Sequence, residues 1–326
     1  MAEPPPPDFA AILAGDRRSL SRAITLVEST RTDHRAQAEK LLSELRSHRP
    51  PQLSLRIGVS GPPGAGKSSV IERLGLEITR AGRSLAVLTV DPSSSHSGGS
   101  ILGDKTRMEQ LATSPLAFIR PFPAGGSLGG VTRRLEESLE LVEAAGFRAT
   151  IVETVGVGQS EMAVANLTDL LILTLPPASG DELQGIKRGI VERADLIIVN
   201  KCDGETRASA LRTVADYAAA IHLRRPNLTG WQVPVFAVSA LTGEGITPLW
   251  QEIQRFSQWL QSSNQWQDRR GEQAVARFPS EVMAAIAEHL AASPELADEI
   301  TRLEAAIRHG TLSPAAAAQT LLNRLG

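Results

Sequence analysis

Seven short apolar runs, rich in β-branched residues, recur along the chain: LRIGVS (55–60), LAVLTV (85–90), LAFIR (116–120), ATIVET (149–154), DLLILTL (169–175), DLIIVN (195–200) and VPVFAVS (233–239). Runs that stay apolar at successive positions are what strands need when both faces of a parallel sheet are covered. Helical patterns separate them, so the chain predicts an α/β fold with a doubly wound, mainly parallel sheet over 53–262. Ahead of it, Phe9, Ile12 and Leu13, then Leu20, Ile24 and Val27, then Leu41, Leu42 and Leu45 recur at helical spacing and stop at Pro50-Pro51. This predicts two amphipathic helices in an N-terminal extension, 1–52. Behind it, SSNQWQDRRGEQ (262–273) is polar. Val282, Ile286 and Leu290, then Ile300, Leu303 and Ile307, and a Ser313-Pro314 helix start predict a C-terminal helical arm over 263–326.

Composition narrows the partners. The 326 residues carry 34 Lys plus Arg against 36 Asp plus Glu, a net charge of −2, so there is no basic footprint for nucleic acid. Aromatics at 4% leave little material for base stacking. The single cysteine, Cys202, can form no internal disulfide and no thiolate metal site alone. No apolar run is long enough to span a bilayer, and the start lacks the order of a signal peptide. The expectation is a soluble cytoplasmic protein that binds neither nucleic acid nor membrane.

The chemistry begins at Gly61-Pro62-Pro63-Gly64-Ala65-Gly66-Lys67-Ser68, with Ser69 next, which fits G-x-x-x-x-G-K-[ST] directly after a strand and at the opening of a helix. Glycines let the backbone wrap phosphates with N–H groups and a helix N-terminus facing the negative charge. Lys67 reaches the β/γ-phosphates, and the Ser68 hydroxyl serves Mg²⁺. Asn200-Lys201-Cys202-Asp203 ends a later strand at the carboxyl edge, where ligands of open α/β sheets bind. An Asp203 carboxylate accepts from both guanine N1–H and the 2-amino group, whereas adenine has no such donor pair, so GTP and GDP are the expected ligands. Lys201 would lie along the base. Ser239-Ala240-Leu241 looks like the companion loop whose N–H meets guanine O6.

Glu153 ends another strand, where an acidic residue holds the Mg²⁺ water shell, and Gly156 can offer an N–H to the γ-phosphate. Asp91 and Asp104 flank a Ser/Gly-rich loop and are further candidates for Mg²⁺ or its waters. The alternatives are a turn start for Asp91 before Pro92 and a helix cap for Asp104. Val157 occupies the position where a water-orienting Gln is found in Ras-like sites, so intrinsic hydrolysis should be slow. Within 176–188, Asp181 and Lys187 are the best internal candidates to complete the site, with a solvated helix lysine as the alternative for Lys187. Gln159 is a weaker one, and His96 is expected to be exposed.

Asp91-Pro92-Ser93-Ser94, Gly98 to Met108, Leu128-Gly129-Gly130-Val131, Glu153 to Glu161 and Gly180 to Gly189 together resemble the MeaB/ArgK/MMAA family of P-loop GTPases, which carry Glu at the metal-binding strand end. The resemblance runs from the helical lead to Leu312-Ser313-Pro314. It implies a G-protein chaperone of an adenosylcobalamin-dependent acyl-CoA mutase, typically methylmalonyl-CoA mutase, that gates cofactor delivery and helps to remove inactivated cofactor. It further implies a homodimer through the C-terminal arm and an additional switch at 176–188. His96 stands where relatives often have Thr or Arg, and Phe122 where Ser is usual. No D-x-H-x-x-G stretch is present, so the mutase is expected to hold the cobalamin. The competing readings are a kinase, after an older transport-linked label, and a nickel-type metallochaperone. The latter has only one Cys, six His and no His-rich tract to work with.

Overall fold

A computed structural model describes residues 7–29, 31–48, 54–91, 108–123, 128–154, 162, 164–177, 188–222 and 228–324. Within them the chain forms α1 (Phe9–Leu13), α2 (Arg17–Glu28), α3 (Thr32–Ser47), β1 (Leu55–Ser60), α4 (Lys67–Arg80), β2 (Leu85–Asp91) and α5 (Glu109–Ala112). Next come β3 (Ala117–Pro123), α6 (Leu128–Ala144), β4 (Ala149–Glu153), β5 (Leu170–Leu175), α7 (Arg188–Arg193) and β6 (Leu196–Val199). The rest is α8 (Arg207–His222), β7 (Val235–Ala237), α9 (Ile246–Ser262), α10 (Gln265–Ala292), α11 (Pro294–Arg308) and α12 (Pro314–Leu322). All seven predicted strands are present, in a wholly parallel sheet ordered β3-β2-β4-β1-β5-β6-β7.

Side chains alternate across each strand, so the two faces of the sheet bury different sets. Leu55, Ile57 and Val59 of β1 share a core with Val70, Ile71 and Leu74 of α4 and with Leu249, Ile253 and Phe256 of α9. On neighbouring strands the opposite parity builds separate clusters, Leu171, Leu173 and Ile197 with Ala210 and Tyr217 of α8, and Leu88, Val90 and Val152 with Leu135 and Leu139 of α6. β1 lies between β4 and β5, where the strand order reverses. That reversal opens a crevice at the carboxyl ends of the strands.

The N-terminal segment forms three helices where two were expected. Gly15 turns the chain at φ 80°, and the Asp16 side chain accepts from Ser19 N–H to start a fresh helix, so the run from Phe9 to Val27 is broken. These helices are not a separate extension. Leu20, Ile24, Val27, Leu42 and Leu45 pack with Leu141 and Val142 of α6, and Arg35 pairs with Glu137 at 3.0 Å.

Two compact units divide the chain, Met1–Ala274 and Val275–Gly326, so the division falls beyond residue 262, where the polar stretch had suggested it. The cause is the first part of α10. Trp266 is buried, Arg269 makes a two-point pair with Asp195 (3.0 and 2.7 Å), and Arg270 makes one with Asp169 (2.7 Å each). Both carboxylates also accept backbone N–H groups, Asp169 from Arg56 and Asp195 from Leu171. Burial by itself would lower the Arg270 pKa, but the hydrogen bond and charge of Asp169, then Glu143, raise it. In the second unit, Ser293 and Ser313 cap α11 and α12 by accepting from Leu296 and Ala316 N–H, and Leu303 and Ala317 are buried.

Candidate nucleotide site

The loop 61–66 joins β1 to α4 at that crevice. Gly61 has φ 146°, and a Cβ there would lie 2.0 Å from the Thr174 carbonyl oxygen of β5, so only glycine fits against the neighbouring strand. Gly66 caps α4 at φ 82°, where a Cβ would meet Asn200 Nδ2 at 2.5 Å. Pro63, Gly64 and Ser69 are exposed, Pro62 is half-buried and Ala65 is buried. Lys67 is 7% exposed, and its Nζ donates to the Gly61 and Pro62 carbonyls at 2.8 and 3.1 Å. Its charge is thus held over the loop itself.

Ser68 and Glu153 come together from α4 and β4. The Ser68 hydroxyl donates to Glu153 Oε1 at 2.7 Å, with the carboxylate buried. One hydroxyl and one carboxylate oxygen within hydrogen-bond reach make a hard-oxygen pair suited to Mg²⁺ or its waters. Asp91 is the last residue of β2, whose Thr89 lies level with Glu153 on β4. Asp104, Gly156, Asp181 and Lys187 lie outside the described residues, as do His96, Val157 and Gln159.

The 200–203 and 239–241 segments meet beside the phosphate loop. Asn200 is buried, and its Nδ2 donates to the Ala65 carbonyl at 2.9 Å while its Oδ1 accepts from Ala240 N–H at 3.0 Å. One side chain therefore ties both loops together. Lys201 is exposed and adopts φ 60°, and Thr206 steadies the turn by donating to the Lys201 and Asp203 carbonyls at 2.6 and 2.9 Å. The half-buried Asp203 carboxylate accepts from the Ser239 hydroxyl. Leu241 is exposed. Cys202 is buried with its thiol pushed up by that burial, which suits packing and not reactivity.

Sequence reasoning missed Arg73 of α4, which donates from Nε to the Ala240 carbonyl and from Nη2 to the Leu241 carbonyl, both at 2.9 Å. No local signal marks it, because its partners are far along the chain and are backbone groups.

A family model described as "Methylmalonyl Co-A mutase-associated GTPase MeaB" matches residues 20–295. The chain belongs to the MeaB family. It is a P-loop GTPase, in agreement with the fold and with the loops just described. Among its relatives, a "Probable GTPase" of Mycobacterium bovis is 47% identical over 96% of this chain and 92% of its own length. The mouse "Methylmalonic aciduria type A homolog, mitochondrial" is 44% identical over 96% of this chain and 78% of its own. The crystal structure of an "LAO/AO transport system kinase" superposes with a TM-score of 0.73 at 34% identity, covering 97% of this chain and 96% of that one. The MeaB-family chain has, among its described residues, no helix long and apolar enough to cross a membrane.

Proposed function

We propose that this MeaB-family GTPase is the chaperone of an adenosylcobalamin-dependent acyl-CoA mutase, methylmalonyl-CoA mutase or a close relative, and that GTP hydrolysis gates cofactor loading and removal. The observation that carries this reading is the family match over residues 20–295, whose description names that mutase. The mitochondrial relatives named for methylmalonic aciduria support it. The mutase, and not this chain, holds the cobalamin. The kinase reading rests only on the name given to a similar protein, the LAO/AO transport system kinase. For a nickel chaperone, no group of three or more His, Cys, Asp or Glu side chains among the described residues is arranged to hold a metal.

The site residues take these roles in the proposal. Gly61 to Ser69 wrap the phosphates, and Lys67 exchanges the two carbonyls it now contacts for phosphate oxygens. Ser68 and Glu153, with Asp91 and Asp104, hold Mg²⁺ and its waters. The bound ion offsets charge on the β- and γ-phosphates. Asp203 accepts from the guanine edge, Lys201 lies along the base, and Gly156 faces the γ-phosphate. Val157 offers nothing to orient water, so turnover by the free protein falls well below the roughly 1–100 s⁻¹ of optimised phosphoryl-transfer enzymes. The partner completes the site, with Lys187 and Asp181 acting at the transferring phosphate. Linkage then requires the mutase to bind the GTP and GDP states with unequal affinity. The protein works as a homodimer through its C-terminal unit.

The test is GTP turnover with and without the mutase, for wild type and Lys187→Ala. Stimulation of the wild type that the variant largely loses is the expected result. No stimulation of either would overturn the gating reading, and equal stimulation would remove Lys187 from it. Light scattering showing a monomer at micromolar concentration would overturn the dimer.

A further inference from the structure

The turn after β7, residues 239–245, closes on itself through local bonds. Ser239 N–H donates to the Glu244 carbonyl, Gly243 N–H to the Ser239 carbonyl, and Thr242 N–H to the Ser239 hydroxyl. These bonds shape the turn but do not decide where it sits relative to the phosphate loop. That depends on side chains arriving from other elements. Arg207 of α8 reaches Glu244 at 2.7 Å, but the two side chains are 50% and 55% exposed, and a pair of that kind contributes little. Arg73 is different. It is half-buried on the second turn of α4, the helix that begins with Lys67 and Ser68, and its two donors meet two successive carbonyls.

The consequence falls on Ala240. Its N–H is held by Asn200 Oδ1 and its carbonyl by Arg73 Nε, so the peptide planes on both sides of the residue are tied to other elements. Rigid peptide units leave only two soft dihedrals per residue, and here both are pinned. We propose that Arg73 is a positioning residue for base discrimination, holding the Ala240–Leu241 peptide unit by its carbonyl so that the Leu241 N–H of that same unit is presented to the oxygen at position six of a purine base. This rests on reading 200–203 and 239–241 as the guanine site. Arginine suits the task because its planar fork offers two donors at fixed separation, whereas lysine offers a single point charge. It also ties the base-reading turn to the helix that begins with the phosphate-binding residues, so α4 sets the spacing between base and phosphate subsites.

Calorimetric titration of the full-length chain with the Mg²⁺ complexes of GDP, IDP and ADP tests this, with ADP affinity read by competition. GDP and IDP both carry the six-position oxygen, whereas ADP carries an amino group there and binds through its phosphates. Arg73→Ala is expected to weaken GDP and IDP about tenfold each, the scale of a hydrogen bond to a charged group, and to leave ADP within about twofold. Arg73→Lys should recover part of the loss. Equal weakening of GDP and ADP would mean that Arg73 acts on the phosphate end through α4, and would overturn the proposal, as would unchanged GDP affinity. Asp203→Asn, measured alongside for GDP against XDP, separates the two ideas. If it leaves the guanine preference intact, the guanine-site reading itself fails. If it shifts the preference while Arg73→Ala does nothing, Arg73 alone is removed.

Discussion

Ending the chain after Ser262 or after Ala274 differs by the first part of α10, and the structure assigns that part a large share of the stability. Asp169 and Asp195 are each only 1% exposed, and they stand at the amino ends of β5 and β6, facing Arg270 and Arg269. Removing one member of a buried pair costs about 3–5 kcal/mol. Truncation also lets water reach the vacated surface, so half of that per pair gives about 3–5 kcal/mol for the two. Trp266, 3% exposed, removes on the order of 150–200 Å² from water, worth about 4–5 kcal/mol at 25 cal/mol per Å². The sum, about 7–10 kcal/mol, is comparable to the whole stability of roughly 5–15 kcal/mol expected of a folded domain. Urea unfolding followed by circular dichroism should therefore show a cooperative transition for 1–274 and little or none for 1–262. The same urea midpoint for both would refute the reasoning. Arg270→Met in the full-length chain, expected to lower the midpoint, checks the ion-pair share separately.

Asp203→Asn should shift preference from guanine toward xanthine nucleotides, and nucleotide titrations showing equal wild-type affinity for ATP and GTP would refute the assignment behind it. Asn200→Ala leaves the Ala240 N–H and the Ala65 carbonyl without their buried partner, so a loss of about 2–4 kcal/mol in urea unfolding is expected; less than about 0.5 kcal/mol would mean the two loops are held by other contacts. Asp33 titrates at about 2 because the Arg31 side chain hydrogen-bonds its exposed carboxylate. A lowered carboxyl pKa contributes above the unfolded value and is lost as pH falls toward 2. NMR titration should find that midpoint in the wild type and a return toward 3.8 in Arg31→Ala.

The strands were legible because their burial on both sides leaves unbroken apolar runs, and the phosphate loop because it requires glycines at fixed spacing. Legibility ended where a polar residue is buried. Trp266, Arg269, Arg270 and Gln273 follow helical spacing, yet three of the four are polar, so the hydrophobic pattern shows only a polar stretch at the start of the C-terminal arm. Their partners, Asp169, Asp195 and the Thr168 carbonyl, lie about 75–100 residues away, and only the folded sheet brings them together. The break at Gly15-Asp16 was visible as a turn residue followed by a capping residue, but the apolar spacing on either side nearly continues across it. Arg73 gives no sequence signal at all, since arginine two turns into a helix is most often solvated.

The strand order also sets a timetable for synthesis. β1, the middle of the sheet, leaves the ribosome first among the strands, but its neighbours are β4 and β5: Leu55 waits for Ala149, and Ile57 for Leu170. At about 5–20 residues per second, that interval is roughly 5–20 s, during which a strand that ends up buried along its whole length has no edge to join. The first adjacent pair available is β2 with β3, at one margin of the final sheet. Until β5 is made, Gly61 lacks the Thr174 carbonyl that walls its loop, so GTP has no complete phosphate cradle to occupy. A ligand stabilises only a state that can bind it. Nucleotide therefore cannot rescue the early nascent chain, whatever its concentration in the cell.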